Sequence, residues 1–418
     1  MPNTDKIQVP QMAWYGDTEF NLEFPSSWDV TICRMQGHNW PRLTDIQIRE
    51  AFSRPFGSVT IHELAKGKKE VVILFDDLTR PTPTAELVPY ILEELATTGI
   101  RDEQIRFIAA TGAHRALTRL DCVKKLGTEV LDRFPVYNHN PYENCTFIGE
   151  TSRGTPLSVN KEVMSCDLKI GIGCIVPHSA ASFGGGGKII LPGVASIDAI
   201  AFNHAFVIRA SERGRSGTAM YGVGFEDNEL RLDIVEATKM VGLDIKVDVI
   251  INYQREITAL FVGEPEEEHI EGIKLAKDAY FTDSLGNKDI VISNAYAKGT
   301  EPGHAVPLGA RMLREAGGDM VLIANTPEGM ITHYLTGSFG RNMGGRYWRP
   351  RSSLHPRIKK FILLTPYIDR AQAVNLAPVD LIMQARTWNE ALEFLTRDYP
   401  DKAEVAIIPD GTIQYFAE

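Results

Sequence analysis

A single lysine, Lys188, ends a run of four glycines in the segment PHSAASFGGGGKIILPGVASIDAIAFNH. Two histidines flank it, with His178 ten residues before the lysine and His204 sixteen residues after it. A lysine shielded from water can react with a carbonyl group as a neutral amine. Histidine transfers protons near pH 7 and binds metals such as Ni, Cu or Zn. The segment therefore offers an attachment point, a candidate acid or base and a candidate metal ligand.

The glycine run indicates an anion-binding turn, because backbone N–H groups with no side chain beside them can converge on a phosphate. It is not a P-loop, since that motif needs Ser or Thr after the lysine and Ile189 stands there. A plain hinge would also explain the glycines, but it leaves the lysine between two histidines unexplained. His204 lies between Phe202 and Phe206, so it could equally be a histidine packed in the core.

Three apolar runs that predict β-strands each end in a polar loop. The runs and their loops are VVILF (71–75) with DDLTRPTP, IRFIAA (105–110) with TGAHRALT, and DLKIGIGCIV (167–176) with PHSAASFGGGGK. In a parallel sheet the loops after the strands meet at one edge, where α/β proteins bind ligands. The residues expected to gather there are Asp77, Arg80, His114, Arg115, His178 and Lys188.

Short β-branched runs alternate along the chain with amphipathic segments of helical length, which predicts an α/β fold. We expect two doubly wound, Rossmann-like domains with the active site in the cleft between them. The boundary is placed near residue 280, giving a cofactor-binding catalytic domain over 1–280 and an α/β substrate-capping domain over 281–418. After VVILF, Thr82 is predicted to cap a helix that carries Leu87, Ile91 and Leu95 on one face.

Other elements follow from the same patterns. The predicted helices lie around 120–131, from 196 through His204, at 265–281, near 308–314 and at 388–397; the predicted strands include an antiparallel pair between 244 and 265 and runs at 289–293, 319–325 and 361–364. The segment 326–358 has little periodicity and is predicted to be a long, functional loop.

Composition narrows the class of partner. The 44 basic and 54 acidic residues give a net charge of −10 with no basic block, so binding to nucleic acid or to an anionic membrane is not expected. The sequence shows no signal peptide and no apolar run of the roughly 18 residues that span a bilayer, which predicts a cytoplasmic protein with a small-molecule partner. Five cysteines without a CxxC pair are expected to be reduced. Whether the chain forms a homo-oligomer is left open.

The order of the motifs resembles the nickel-dependent lactate racemase family, whose members racemise or epimerise 2-hydroxy acids. The resemblance rests on DDLTRPTP, then TGAHR, then PH ten residues before GGK and LPG, and finally NH. In that family a nickel ion lies in a pincer-type nucleotide, a pyridinium bis-thiocarboxylate mononucleotide that is tethered to a lysine and made by separate cofactor-synthesis enzymes. The resemblance implies a nickel-pincer nucleotide with Ni(II) as the cofactor here.

The resemblance also implies roles for individual residues. Lys188 would carry the covalent tether, and His204 would bind the nickel. His114 and His178 would be the two acid/base residues. The cofactor would also contact Asp77 and the glycines Gly185, Gly186 and Gly187. On the substrate side, Arg80 would lie beside Asp77.

In the second half of the chain the match is confined to scattered positions. The stretch SNAYAKGTEPGH supplies Tyr296 and Lys298 as substrate-binding residues, but it has no glutamine where the family has one. This departure favours a 2-hydroxy acid other than lactate, bulkier or more hydroxylated, which would meet the 326–358 loop at His333 or Trp348.

The implied reaction inverts C2 of a 2-hydroxy acid by reversible hydride transfer. One histidine would remove the hydroxyl proton as hydride leaves C2, and hydride would return to the other face of the resulting 2-keto acid. Two other interpretations stay open at this point. One is an enzyme that uses Lys188 as a Schiff base for a carbonyl substrate or pyridoxal phosphate, and the other is a non-catalytic protein that binds a nucleotide or nickel.

Overall fold

The computed structural model of the chain describes residues 7–212, 227–335 and 353–416. The strands in this part of the chain are β1 (Ile7–Gln11), β2 (Thr18–Leu22), β3 (Asp29–Ile32), β4 (Val71–Phe75), β5 (Ile105–Ala109), β6 (Val136–Asn138), β7 (Cys145–Glu150), β8 (Pro156–Asn160), β9 (Leu168–Cys174), β10 (Pro177–His178), β11 (Ser182–Phe183), β12 (Ile245–Ile251), β13 (Ile257–Gly263), β14 (Ile290–Asn294), β15 (Gly318–Ile323), β16 (Ile358–Leu364), β17 (Ile382–Ala385) and β18 (Glu404–Ile408).

The α-helices of the same residues alternate with these strands. They are α1 (Asp45–Ser53), α2 (Ile61–Ala65), α3 (Thr84–Ala96), α4 (Arg119–Leu126), α5 (Thr128–Arg133), α6 (Lys161–Ser165), α7 (Ile197–Glu212), α8 (Glu229–Val241), α9 (Glu267–Tyr280), α10 (Ala305–Met312), α11 (Arg370–Ala373) and α12 (Trp388–Asp398).

The chain divides into two compact units, each with its own sheet. The central unit is Asn39–Ala279, and the terminal unit combines Met1–His38 with Tyr280–Glu418. The expected single domain over 1–280 differs from this division at its start. The reason is that β3 pairs in parallel with β18, the last strand, so the first residues contribute to the sheet of the terminal unit.

The sheet of the central unit has the strand order β13-β12-β9-β4-β5-β6, with only the edge strand β13 antiparallel. Numbered along the chain and read from the other edge, this order is 3-2-1-4-5-6, which is the Rossmann order. The expected doubly wound α/β fold is therefore confirmed. The strand order reverses between β4 and β9, the point at which such sheets bind ligands.

In helix α3 the predicted buried face is confirmed, but the predicted cap is not. Leu87, Ile91 and Leu95 are fully buried, as their spacing predicts. The predicted cap is wrong, because the helix begins at Thr84 with Pro83 at the N-cap position and no side-chain cap. The hydroxyl of Thr82 instead donates to the carboxylate of Asp76, 2.5 Å away, across the loop that follows β4.

The predicted helix around 120–131 is two helices, α4 and α5, because the chain turns at Gly127. That glycine has a φ of 80°, a left-handed value that costs little without a Cβ atom. The predicted antiparallel pair is confirmed as β12 and β13. The five cysteines are free thiols, as expected.

The sheet of the terminal unit is parallel throughout, in the order β17-β16-β15-β14-β18-β3. Its strand order reverses between β14 and β18. Part of the predicted 326–358 loop, including Trp348, lies outside the described residues. His333 lies within them, where its Nδ1 accepts the N–H of Leu335 at 3.2 Å. Across residues 7–212, 227–335 and 353–416, no helix has both the length and the apolar character that crossing a membrane requires.

Candidate active site

The three polar loops of the central unit leave one edge of its sheet. Strand β4 pairs in parallel with β5 on one side and with β9 on the other. The loops after these strands therefore begin side by side at the point where the strand order reverses. This neighbourhood brings together residues from three separate parts of the chain.

His114, from the loop after β5, is oriented by Asp77, from the loop after β4. Its Nδ1 lies 2.7 Å from Asp77 Oδ2, and both side chains are largely buried, at 13% and 4% exposure. Because a carboxylate accepts, Nδ1 carries a proton whether the ring is charged or neutral. In the neutral form the remaining lone pair is on Nε2, the nitrogen at which His114 would accept a proton.

Asp77 is held in its ionised form by its surroundings. Burial alone would raise its pKa, but the charge and hydrogen bond of His114 and the charge of Arg80 outweigh burial and keep the pKa below its ordinary value. The carboxylate also accepts the backbone N–H of Thr79 at 2.9 Å and the hydroxyl of the same residue. Asp77 is therefore a fixed negative charge behind His114.

His178 has the opposite hydrogen-bonding pattern. It lies on the short hairpin of β10 and β11, and its Nδ1 accepts the N–H groups of Ala180 and Ala181 at 3.1 and 3.2 Å. With Nδ1 accepting, the neutral ring carries its proton on Nε2. The two candidate acid/base histidines thus differ: in their neutral forms the proton is on Nδ1 in His114 and on Nε2 in His178.

Lys188 lies close enough to His204 for the charge of the lysine to affect the imidazole. Lys188 is in the short 3-10 turn Gly186–Ile189, and His204 is on α7. Burial first, and then the charges of Lys188 and His114, lower the pKa of His204 to about 3. The imidazole is therefore neutral at physiological pH, the form that binds a metal.

These residues fit the cofactor that the sequence resemblance implies. A neutral imidazole on α7 stands near a partly buried lysine and near the ordered pair His114–Asp77. In the part of the chain that the structure describes, no group of three or more His, Cys, Asp or Glu side chains could hold a metal ion.

Sequence reasoning missed the residue that holds helix α7 in place. Asp233, on α8, is fully buried and accepts the Nδ2 of Asn203 at 2.7 Å. It also accepts the hydroxyls of Thr151 and Thr155, at 2.6 and 2.7 Å. Asn203 immediately precedes His204, so this bond helps to set the rotation of α7 and the direction of His204. The NH dipeptide was visible in the sequence, but its partner was not.

A second missed residue, Lys125, holds the loop that carries Asp77 and Arg80. Its ammonium group is fully buried and donates to Asp76 Oδ1 at 2.5 Å. It also donates to the backbone oxygens of Arg80 and Thr82, at 3.2 and 3.0 Å. One cation thus ties together both ends of the loop. Lys125 lies within the helix predicted around 120–131, but nothing in that pattern indicates burial, since lysines are usually solvated.

Replacing Lys125 with methionine is expected to lower the free energy of unfolding by about 3–5 kcal/mol, because the carboxylate of Asp76 loses its buried partner. The measurement is chemical denaturation of the variant beside Lys161→Met, which changes an exposed lysine at the start of α6. An equal, small effect in the two variants would mean that the Lys125–Asp76 pair contributes no more than a surface lysine.

The glycine run contacts protein on the side where a Cβ would lie. Gly185 and Gly186 have φ values of 82° and 52°, and a Cβ on Gly185 would lie 2.7 Å from Asp248 Oδ2. The N–H of Gly186 donates to the same carboxylate at 2.5 Å. This N–H is therefore directed into the protein. Contact of Gly185, Gly186 and Gly187 with a cofactor stays a prediction.

Tyr296 and Lys298 belong to the terminal unit, in the loop after β14. The hydroxyl of Tyr296 donates to Asp17 Oδ1 at 2.7 Å. Lys298 is fully buried, and its backbone N–H donates to the hydroxyl of Thr412 at 3.1 Å. Within their own unit, both residues therefore lie where the strand order reverses. Their role in substrate binding stays a prediction.

Comparison with known proteins places this arrangement in a family. The family model described as the lactate racemase N-terminal domain matches residues 15–216. The lactate racemase of Thermoanaerobacterium thermosaccharolyticum is 31% identical over 292 residues, which is 69% of this chain and 66% of that protein. The lactate racemase of Lactiplantibacillus plantarum is 28% identical over 384 residues, covering 87% of this chain and 89% of that protein.

The fold agrees with these matches. The structure of the lactate racemase apoprotein from T. thermosaccharolyticum superposes with a TM-score of 0.73 at 22% identity, covering 99% of this chain and 100% of that one. At this low identity the structural match shows a shared fold, and the family relationship rests on the sequence matches. The chain belongs to the lactate racemase family.

Proposed function

We propose that this protein is an isomerase that inverts C2 of a 2-hydroxy acid with the help of a lysine-tethered nickel-pincer nucleotide. The observation that carries the proposal is the group formed by His114, Asp77, Lys188 and His204. A histidine paired with a carboxylate, a lysine and a neutral histidine lie near one another where an α/β sheet binds ligands, which supports their proposed roles as base, attachment point and metal ligand. Two relatives of the chain bear the name lactate racemase, which supports the same reaction class.

In this proposal Lys188 holds the cofactor covalently and His204 binds its nickel ion. The chemistry that such a cofactor supplies when bound is reversible uptake of hydride from C2. The side chains of the protein supply the rest. Lys188 keeps the cofactor from dissociating, and the partly buried surroundings of His204 and His114 limit access of water to the reacting atoms.

His114 removes the hydroxyl proton of one enantiomer at its Nε2 nitrogen. Asp77 behind it stabilises the imidazolium that forms, as an oriented carboxylate does for other catalytic histidines. His178 would protonate the oxygen from the other direction after inversion; for this it must first gain a second ring proton, with its Nδ1 released from the N–H groups of Ala180 and Ala181. For the opposite enantiomer the two histidines exchange roles.

Arg80 is the proposed partner of the substrate carboxylate, since a guanidinium group matches a carboxylate in geometry and charge. Its Nη1 donates to the backbone oxygen and hydroxyl of Thr79 at 3.0 and 2.9 Å, which restrains the side chain beside Asp77. Tyr296 and Lys298 complete the proposed substrate contacts. Lactate is the first substrate to test because the relatives act on it by name. The missing glutamine supports testing larger 2-hydroxy acids as well.

The test is interconversion of single enantiomers. Protein produced together with cofactor-synthesis enzymes of the nickel-pincer nucleotide is incubated with D- or L-lactate and with a panel of other chiral 2-hydroxy acids. Chiral chromatography is expected to show loss of optical purity from both directions for at least one acid. If every acid keeps its configuration while the protein carries both cofactor and nickel, the proposed reaction is wrong.

A further inference from the structure

Beneath the glycine run lies a cluster of five ionisable residues that the proposed reaction does not use. Each is at most 1% exposed. The members are Arg231 on α8, Lys246 and Asp248 on β12, and Glu268 and His269 on α9. Burying this many ionisable groups is costly unless they bond to one another or to the backbone. Their contacts therefore indicate what the cluster holds in place.

Two members of the cluster bond to the backbone on either side of Gly185. Asp248 Oδ2 accepts the N–H of Gly186 at 2.5 Å. His269 Nε2 donates to the carbonyl oxygen of Gly184 at 2.7 Å. We refer to Asp248 and His269 together as the glycine clamp. Lys188 follows this stretch by two residues, so its Cα position depends on how the turn is held.

The other members of the cluster hold the clamp in its orientation. Lys246 forms an ion pair with Asp248 in which both side chains are fully buried. Arg231 donates to His269 Nδ1, which leaves the proton of the neutral ring on Nε2, facing Gly184. Glu268 is fully buried beside the clamp, and burial, followed by the charge of Asp248, raises its pKa well above its ordinary value.

The spacing of glycines around the clamp supports this reading. A Cβ on Gly186 would lie 2.8 Å from His269 Cγ, and one on Gly173 of β9 would lie 2.9 Å from Asp248 Oδ1. Contacts below about 3 Å are too short for a Cβ, so these positions need glycine for the clamp to reach the backbone. The clamp thus explains why glycine is needed at both Gly173 and Gly186.

We propose that Asp248 and His269 are positioning residues that set the place of Lys188 for covalent attachment of the cofactor. This inference rests on the proposed function, in which Lys188 is the attachment point. Misplacing a reacting group by about 1 Å can slow a reaction roughly 100-fold. Loss of the clamp is therefore expected to impair attachment more than it impairs folding.

The central test compares two replacements of the same residue. His269→Asn keeps a polar group near Arg231 but is too short to reach Gly184, whereas His269→Gln extends an amide N–H toward that carbonyl. After co-expression with the cofactor-synthesis enzymes, the mass of the denatured Lys188 peptide gives the loaded fraction of chains. We expect a fall of roughly tenfold or more in His269→Asn and near-normal loading in His269→Gln.

A matched control measures the general effect of losing buried hydrogen bonds. Gln414 is buried in the terminal unit, and its Nε2 donates to Cys33 O and Thr282 Oγ1, both at 2.8 Å. Gln414→Leu is expected to lower the melting temperature but to leave loading per folded chain unchanged. Equal loading in His269→Asn and wild type, or an equal fall in Gln414→Leu, would overturn the positioning role.

A second pair of variants approaches the clamp from the backbone. Gly185→Ala places a Cβ against Asp248, while Gly303→Ala has its nearest neighbouring atom 3.7 Å away. Loading is expected to fall only in Gly185→Ala. Because Gly185 is itself a predicted cofactor contact, Gly185→Ala is also compared with wild type in the acylation rate of Lys188 without cofactor if the His269 variants do not fold.

A cofactor-free measurement separates the inference from the proposed function. In protein made without the synthesis enzymes, the rate at which an acylating reagent labels Lys188 is compared between wild type and His269→Asn. We expect a several-fold change, because the turn is no longer held from both sides. An unchanged rate overturns the clamp. If the labelling rate changes but the wild-type protein never gains mass in co-expression, the result supports the clamp and rejects the covalent tether at Lys188.

Discussion

Replacing Lys188 with alanine is expected to give a folded protein that has no racemase activity and no covalently bound cofactor. The tether is the bond that survives denaturation, and alanine has no amine with which to form it. The denatured wild-type protein should show added mass on the peptide that contains Lys188, and Lys188→Ala should show none. Activity toward both enantiomers should fall below detection.

The control for this experiment is Lys161→Ala, which removes an exposed lysine from α6. That variant should keep both the added mass and the activity. Wild type, variant and control must all be co-expressed with the cofactor-synthesis enzymes, since protein without access to cofactor would imitate the variant. Added mass on a different lysine, with Lys188 unmodified, would show that the tether is assigned to the wrong residue.

The three histidines are expected to divide into two groups by their nickel content. His204→Ala removes the proposed metal ligand, so nickel per chain should fall sharply while the mass on Lys188 remains. His114→Ala and His178→Ala should keep their nickel and lose activity by about 10²–10⁴-fold, the usual contribution of a positioned acid or base. Both directions of the reaction should slow, because each turnover uses each residue once.

The measurement combines metal analysis of the three purified variants with interconversion of single enantiomers. His139→Ala is a useful comparison, because His139 is buried and donates to Ala195 O at 2.8 Å, but it has no proposed part in the reaction. Equal loss of nickel in all three variants would contradict the division between ligand and bases. Full nickel and full activity in His204→Ala would make His204 an ordinary packed histidine.

Local sequence patterns were sufficient to predict the elements that carry the site. The run VVILF is strand β4, and the spacing of Leu87, Ile91 and Leu95 gives the buried face of α3. A short, continuous apolar run predicts a strand buried on both faces, and the helical spacing works because side chains repeat every 3.6 residues. The expectation that polar loops meet at one sheet edge follows from parallel pairing alone, and the bond between Asp77 and His114 agrees with it.

The features that the sequence did not reveal depend on contacts between distant residues. Strand β3 joins the terminal unit because it pairs with β18 at the far end of the chain. Asp248 and His269 reach the glycine run from elements far along the chain, and nothing near Gly184 indicates them. An isolated aspartate or histidine in a strand or helix has no local signature of its partner.

The different tautomers of His114 and His178 were also decided by the tertiary structure alone. Both residues are histidines in loops after strands, so their sequence contexts predict the same chemistry. Asp77 accepts from Nδ1 of one ring, and backbone N–H groups donate to Nδ1 of the other. The amino-acid type thus determined that a proton could be transferred near neutral pH. The folded surroundings determined which nitrogen carries it, because only a neighbour in space can donate to or accept from the second nitrogen of the ring.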